Sequence, residues 1–482
     1  MGFLGIVLAL ALLVGLAYRG WSVLLLAPAA ALLAAGFSGE PLLASLTQRF
    51  MPGAAGFLAQ FFPLFLLGAL FGKLMDDSGS VSAIARIMTQ RLGARRAVLA
   101  VVLAGAVVTY GGVSLFVAFF VLVPMARAVF QAADIPRRLM PATLILGTST
   151  FTMTALPGSP AIQNAIPMPF FGTSPYAAPG LGVLAGAVML AGGMAWLSHA
   201  QRRARKAGEG YGGTERAAPA ASDPDVRERA VTARDFDTAE LERGAAAASA
   251  PGFLAAVAPL AVVIAVNLLM SLAVLPRIDA SFLEEPRWGG ASLSDVAGVW
   301  SVAAALAAGT AALVGIHWTR LSNLKRSMDA GANASVLPAL SVCSLVGFGA
   351  VIAGLPAFGL VRDAVLDLPG GPLVSLAAAT NVLAALTGSA SGGLTIALEA
   401  LGPTYVDLAA RHAVDPALLH RVAVIGSGTL DILPHNGAVV SLLALCGCGH
   451  KESYGDIVMV GIVPSIAALA VVIAAGTMLG AF

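Results

Sequence analysis

Long runs of uncharged, apolar residues fill most of the chain, with neither the alternation of a strand nor the one-sided spacing of a surface helix. A helix needs about 18 or more such residues to cross a bilayer. The first run covers Gly2 to Ala17, the second Trp21 to Gly36, and the pattern continues to Phe482. A backbone in lipid has to satisfy its own hydrogen bonds, so the pattern predicts an all-α polytopic membrane protein. The first run lacks a basic leader and is soon followed by a second, which makes it a first span rather than a cleaved signal peptide.

Two of the runs are polar at their centres. Val98 to Ala126 is interrupted by Thr109-Tyr110-Gly111-Gly112-Val113-Ser114, and Pro369 to Leu398 by Thr387-Gly388-Ser389-Ala390-Ser391-Gly392-Gly393. A short amphipathic segment precedes each. Val81, Ile84, Ala85, Met88 and Leu92 lie opposite Arg86 and Gln90; Phe358, Val361 and Val365 lie opposite Arg362 and Asp363. Further on, Leu156-Pro157-Gly158-Ser159 recurs as Leu433-Pro434-His435-Asn436, and the same displacement of 277 residues carries Gly111 onto Gly388. Four features in one order predict a structural repeat.

Each polar-centred run is either one tilted helix with a glycine kink or two short helices meeting at a re-entrant tip. Lys and Arg concentrate in cytoplasmic loops, and their placement decides. With both runs as hairpins, 22 of the 28 basic residues fall on the cytoplasmic side, leaving Arg49, Arg277, Arg287, Arg362, Arg411 and Arg421 outside. A single crossing by the first run would set Arg86, Arg91, Arg95 and Arg96 opposite Arg127, Arg137 and Arg138. The hairpins give two inverted repeats, residues 1–198 and 253–482. Each holds a re-entrant helical hairpin (about 97–127 and 370–402) and a broken transmembrane helix (about 139–167 and 418–448). Both termini then lie in the periplasm of a bacterial inner-membrane protein. Inverted repeats with helices broken near the midplane are a recurrent design of secondary transporters.

Only 11% of residues are charged, against about 25% in soluble domains. His199 to Gly252 alone carries nine basic and nine acidic residues, and reads as a disordered cytoplasmic loop between the repeats. A net charge of +2 gives no reason to expect a nucleic-acid partner, and three cysteines make no disulfide framework. Cys446, Cys448 and His450 are crowded at one helix end, a poor start for a tetrahedral metal site. No cofactor is implied, and neither a His-Glu-x-x-His helix nor a Ser nucleophile with a placed base suggests an enzyme.

The chemistry concentrates at the breaks and tips. The first break runs through Thr154 to Pro157-Gly158-Ser159-Pro160 and Gln163-Asn164; the second through Gly426-Ser427-Gly428-Thr429 to Asp431 and Pro434-His435-Asn436-Gly437. Proline removes a helix donor, and glycine permits other backbone angles. The half-helix that follows a break offers N–H groups and a positive dipole end, which bind anions without help from Arg. Asp431 is the one carboxylate deep in these elements and is the candidate for proton coupling or for holding sodium; its alternative is a helix-breaking cap. His435 is a second proton candidate, a hydrogen-bond donor to substrate, or a satisfied interior histidine. Glu399 reads as interfacial.

Tyr110-Gly111-Gly112-Val113, Thr154-Ala155-Leu156-Pro157-Gly158-Ser159-Pro160 and Leu433-Pro434-His435-Asn436-Gly437-Ala438 resemble the gluconate permease (GntP) family, and within it the hydroxybutyrate-permease branch. The resemblance covers nearly the whole chain outside the His199 loop. It implies a homodimer with a scaffold and a mobile transport domain, and elevator-like, proton-driven uptake of a small organic anion. It implies a substrate between tips and breaks: Thr109, Tyr110, Gly111, Gly112, Ser114, Thr154, Pro157, Gly158, Ser159, Asn164, Thr387, Gly388, Ser389, Ser391, Gly392, His435 and Asn436. The expected function is symport of a hydroxy-monocarboxylate, either a sugar acid such as gluconate or a short acid such as 3-hydroxybutyrate. The rival is a sodium–proton antiporter of similar architecture.

Overall fold

A computed structural model describes residues 2–17, 21–93, 96–113, 115–211, 250–288, 290–366, 368–434 and 436–482. Of the candidate residues, Ser114 and His435 lie outside the described residues, as does most of the 199–252 segment.

The described residues are helical, without strands. Six helices are long and apolar enough to cross a membrane: α3 (Leu42–Asp77), α11 (Pro179–Lys206), α12 (Phe253–Arg277), α13 (Leu293–His317), a helix pair spanning Leu324–Ala353, and α21 (His450–Leu479). The pair consists of α14 (Leu324–Ala334) and α15 (Val336–Ala353). Ahead of them come α1 (Gly2–Ala17) and α2 (Val23–Phe37). Leu25, Leu43, Leu254 and Leu272 lie exposed on α2, α3 and α12, as side chains that meet lipid do.

The two polar-centred runs each form a pair of helices joined at the polar stretch. α5 (Ala97–Tyr110) packs on α6 (Leu115–Ala132), and α17 (Gly371–Thr387) on α18 (Ala390–His412), so the second helix of each pair runs past the expected end. At 1.5 Å per residue α5 is ~21 Å long, short of a hydrocarbon core of ~30 Å. The amphipathic segments precede them as α4 (Ser80–Leu92) and α16 (Phe358–Leu366). In α4, Val81, Ile84 and Ala85 are buried while Arg86 and Gln90 are exposed.

The broken helices follow. The first is α7 (Leu139–Thr148), one turn as α8 (Phe151–Thr154), a non-helical stretch of turns, then α9 (Ile162–Ala165) and α10 (Pro167–Phe171). The second is α19 (Pro416–Ser427), a non-helical stretch over the described residues 428–434 and 436, then α20 (Gly437–Cys446). Asp415 starts α19 by accepting from Ala417 N, with Pro416 preset at the first helical position.

The order of elements recurs along the chain. Displaced by 277 residues, α4 covers 357–369 and α5 covers 374–387, the places of α16 and α17; α7 covers 416–425, inside α19. The packing recurs too. In each half the broken helix comes within backbone distance of the hairpin's first helix. A Cβ on Gly147 would stand 2.4 Å from Val102 O, and one on Gly426 3.4 Å from Ala377 O. Small residues at such crossings let membrane helices approach closely.

Candidate substrate site

Both tips and both breaks meet at one cavity of about 210 Å³. The hairpins contribute Thr109, Gly112 and Ser391, the first break Ser149, Met153, Pro160 and Gln163, and the second break Asp431 and Asn436. α3 and the start of α15 close it with Leu64, Phe65, Ser335 and Pro338. The breaks also touch each other: a Cβ on Gly428 would fall 2.3 Å from Thr154 Cγ2.

Hydrogen bonds hold the two breaks in matching ways. Ser159 Oγ accepts from Ala161 N at 3.3 Å. The positions 277 further on do the same, Asn436 Oδ1 accepting from Ala438 N at 2.7 Å and also from Val439 N. Asn436 thereby caps α20. Each break is also tied to its own hairpin. Tyr110 Oη donates to Pro157 O at 2.7 Å, and Asn436 Nδ2 donates to Gly388 O at 2.8 Å. Gly388 ends α17 at φ 64°, a left-handed conformation that glycine adopts at little cost.

The electrostatics follow from helix ends. First turns of α6 (Leu115), α18 (Ala390, Ser391), α20 (Ala438, Val439) and α15 (Pro338) line the cavity. The first three bring the positive ends of their dipoles, whereas α15 continues from α14 through a helical Ser335 and its end is offset by the C-terminal end of α14. Asp431 is the one charged side chain among the described lining residues.

Of the residues singled out from the sequence, Thr109, Gly112, Ser391, Asp431 and Asn436 line this cavity. The others sit around it in different roles. Gly111 faces Leu260 of α12, and Gly158 (φ 76°) faces the Tyr176 ring. Ser389 caps α18 by accepting from Gly392 N, and Thr387 Oγ1 donates to Leu383 O. Thr154 Oγ1 donates to Thr150 O, and Pro157 O receives Tyr110. Asn164 is engaged on both ends, its Nδ2 donating to Ser159 O and Pro175 O and its Oδ1 accepting from His420 and Arg421.

Arg421 corrects the reading by charge placement, which set it among the outer loop residues. It is fully buried in α19 behind the first break, because the break leaves carbonyl groups for it to satisfy. Ser149, Met153, Gln163 and Ser335 also line the cavity, none of them placed among the substrate-binding residues by the sequence. Gln163 had a signal, a polar residue beside Asn164 in an apolar setting; Ser335 had none. A second pair escaped notice. Lys73 and Asp77 lie 3.5 Å apart and buried at the end of α3, spaced one helical turn apart in the sequence.

Outside the apolar region, Arg138, just before α7, donates to Glu209 and Asp456, joining the segment after α11 to α21. The hydrogen bond from Arg138 holds the Glu209 carboxyl below its ordinary value. Cys448 Sγ donates to Arg137 O and His450 Nε2 bonds Pro434 O.

Residues 1–172 match the family described as GntP family permease. A 474-residue alignment, covering 97% of each chain, gives 40% identity to the "Uncharacterized transporter YxjC" of Bacillus subtilis (strain 168). The chain belongs to the GntP permease family. This permease is also 32% identical over 127 residues to the "High-affinity gluconate transporter" of Escherichia coli (strain K12), 26% of this chain and 28% of that one. Residues 167–436 match the family described as Na+/H+ antiporter family. Among solved structures, the Alcanivorax borkumensis YdaH transporter aligns with a TM-score of 0.47 and 16% identity over 88% of this chain and 87% of that one, a likeness that carries no argument. The GntP permease is a multi-pass membrane transporter.

Proposed function

We propose that this permease is a secondary active transporter that brings a small hydroxy-monocarboxylate across the bacterial inner membrane together with a proton. The observation that carries the reading is the cavity at the junction of both tips and both breaks. The first turns of α6, α18 and α20 reach it, with a single carboxylate among the described lining side chains. Helix N-termini suit a carboxylate substrate. Hydroxyl and amide groups of Thr109, Ser149, Gln163, Ser391 and Asn436 suit its hydroxyl. Leu64, Phe65, Phe119, Met153 and Ile162 make much of the wall apolar, which favours a short acid such as 3-hydroxybutyrate over a fully hydroxylated sugar acid. The gluconate transporter named among its relatives supports the carboxylate class.

Asp431 is the coupling group in this reading, loading a proton with the substrate. The recurring element order supports two repeats, residues 1–198 and 253–482, inverted across the membrane and joined by a cytoplasmic segment, with both termini periplasmic. The working unit is a homodimer. The second reading, sodium–proton exchange, is favoured by the antiporter-family match over residues 167–436, which includes Asp431.

Purified permease in proteoliposomes tests this. Labelled 3-hydroxybutyrate should accumulate when the outside is acid, exchange for unlabelled acid in counterflow, and fail to accumulate with a protonophore. Sodium flux driven by a pH gradient, with no acid carried from a panel of hydroxy acids, would establish the antiporter instead.

A further inference from the structure

Behind the first break sits a charged side chain that does not line the cavity. Arg421, on α19 of the second half, is 0% exposed. Its Nε and Nη2 donate to Ala177 O at 3.1 and 2.6 Å, and its Nη1 to Ala155 O at 3.2 Å and Asn164 Oδ1 at 3.4 Å. Four of its N–H to acceptor contacts therefore converge on three atoms, all belonging to the first half's break and to the turn before α11. α11 itself passes so close that a Cβ on Gly182 would stand 2.6 Å from Ala155 O and 3.3 Å from Arg421 Nε. The guanidinium is enclosed on this side by α11.

A buried cation whose bonds go to carbonyl and amide oxygens is an expensive way to hold helices together; apolar packing usually does so at lower cost. What it supplies is geometry. Carbonyls left over by a helix break have to find donors, and one planar fork reaches several at once. The link onward runs through Asn164. Its Oδ1 takes Arg421 and His420 Nε2 (3.2 Å), and its Nδ2 closes back on Ser159 O at 3.0 Å. His420 is fixed in turn by Thr173 Oγ1 at 2.6 Å. The loop pinned between Ser159 and Asn164 is the one that presents Pro160, Ala161, Ile162 and Gln163 to the cavity.

We infer that Arg421 is a positioning residue of the transport site. Held from the opposite half, it sets through Asn164 the shape of the 160–163 loop, and thereby where the Gln163 amide meets the substrate. The inference rests on the transport reading for its kinetic arm only.

Arg421→Lys keeps the charge but not the fork. In counterflow by the full-length permease, Arg421→Lys and Gln163→Ala should each raise KM. The double variant should be no worse than the poorer single, because residues joined through one hydrogen-bond network couple rather than add. A purely structural Arg421 would lower the amount of folded protein and leave KM at the parent's value, and an Arg421 unconnected to Gln163 would let the two KM effects multiply; either result would overturn the inference. A second arm needs no substrate. Ala161→Cys and Ser391→Cys are alkylated with a maleimide and followed by mass spectrometry of the labelled peptides. Arg421→Lys should change the rate several-fold at position 161 and leave it unchanged at 391. Equal rates at 161 overturn the inference; a changed rate there in a protein that carries no hydroxy acid overturns the transport reading alone. Should Arg421→Lys fail to reach the membrane, Asn164→Ala carries both arms, since it cuts the link and leaves the guanidinium's bonds to Ala155 O and Ala177 O.

Discussion

Two adjacent glycines at the first tip separate packing from binding. Gly111 faces α12, where an added methyl would meet Leu260 Cδ2 at 2.2 Å; Gly112 lines the cavity with φ 96°, and a methyl added there would stand 3.0 Å from Pro160 Cγ. Gly111→Ala should therefore lower thermal stability with KM unchanged, whereas Gly112→Ala should raise KM, both by strain and by lost space. The reverse pattern would move the substrate to the other side of the tip. Asp431 is argued at the same scale. Asp431→Asn keeps size and hydrogen-bonding capacity but carries no titratable proton. In the proposed mechanism it still exchanges labelled acid for unlabelled acid, yet does not concentrate it under a pH gradient. Accumulation equal to the parent's would make Asp431 a structural cap and pass the coupling role to His435. Loss of exchange as well would place the carboxylate in binding or folding.

At the scale of elements, the second break and the second tip behave as one unit because Asn436 serves both. It caps α20 through Oδ1 and holds Gly388 O through Nδ2. Asn436→Asp retains the cap, since a carboxylate accepts from the same N–H groups and suits the dipole end. It cannot donate to Gly388. Asn436→Ala loses both, with the cap alone worth about 1 kcal/mol. A thermal-shift assay should find the Ala variant less stable than the Asp variant, while both raise KM in counterflow. A parent-like KM for Asn436→Asp would mean that the bond between tip and break does not shape the site. The breaks themselves were legible along the chain: Pro157, Gly158, Pro160 and Pro434 remove donors or change backbone angles locally, whatever they pack against. So were the amphipathic helices before each hairpin, whose apolar spacing is a property of the segment alone.

For the molecule as a whole, the proposed inversion of the two halves makes a claim about sides. Ser222→Cys, in the loop between the halves, should react with an impermeant maleimide only from the cytoplasm, and Glu284→Cys only from the periplasm. Labelling of both from one side would remove the inversion, because an odd number of crossings has to separate them. What the sequence determined by itself is everything written in one dimension: the membrane-spanning runs, the short paired helices, the positions of the breaks and the recurrence of these features after 277 residues. Length, charge and the local effects of proline and glycine suffice for those. Which face of a non-helical segment meets the cavity is a different matter. Asn164 and Gln163 are neighbours, yet the first turns to Arg421 and the second to the cavity. Lys73 and Asp77 are likewise buried at the end of α3, where α4 and α14 pack against it. Only the tertiary structure decided these, because each depends on partners brought in from elements distant in sequence, 257 residues away in the case of Asn164 and Arg421.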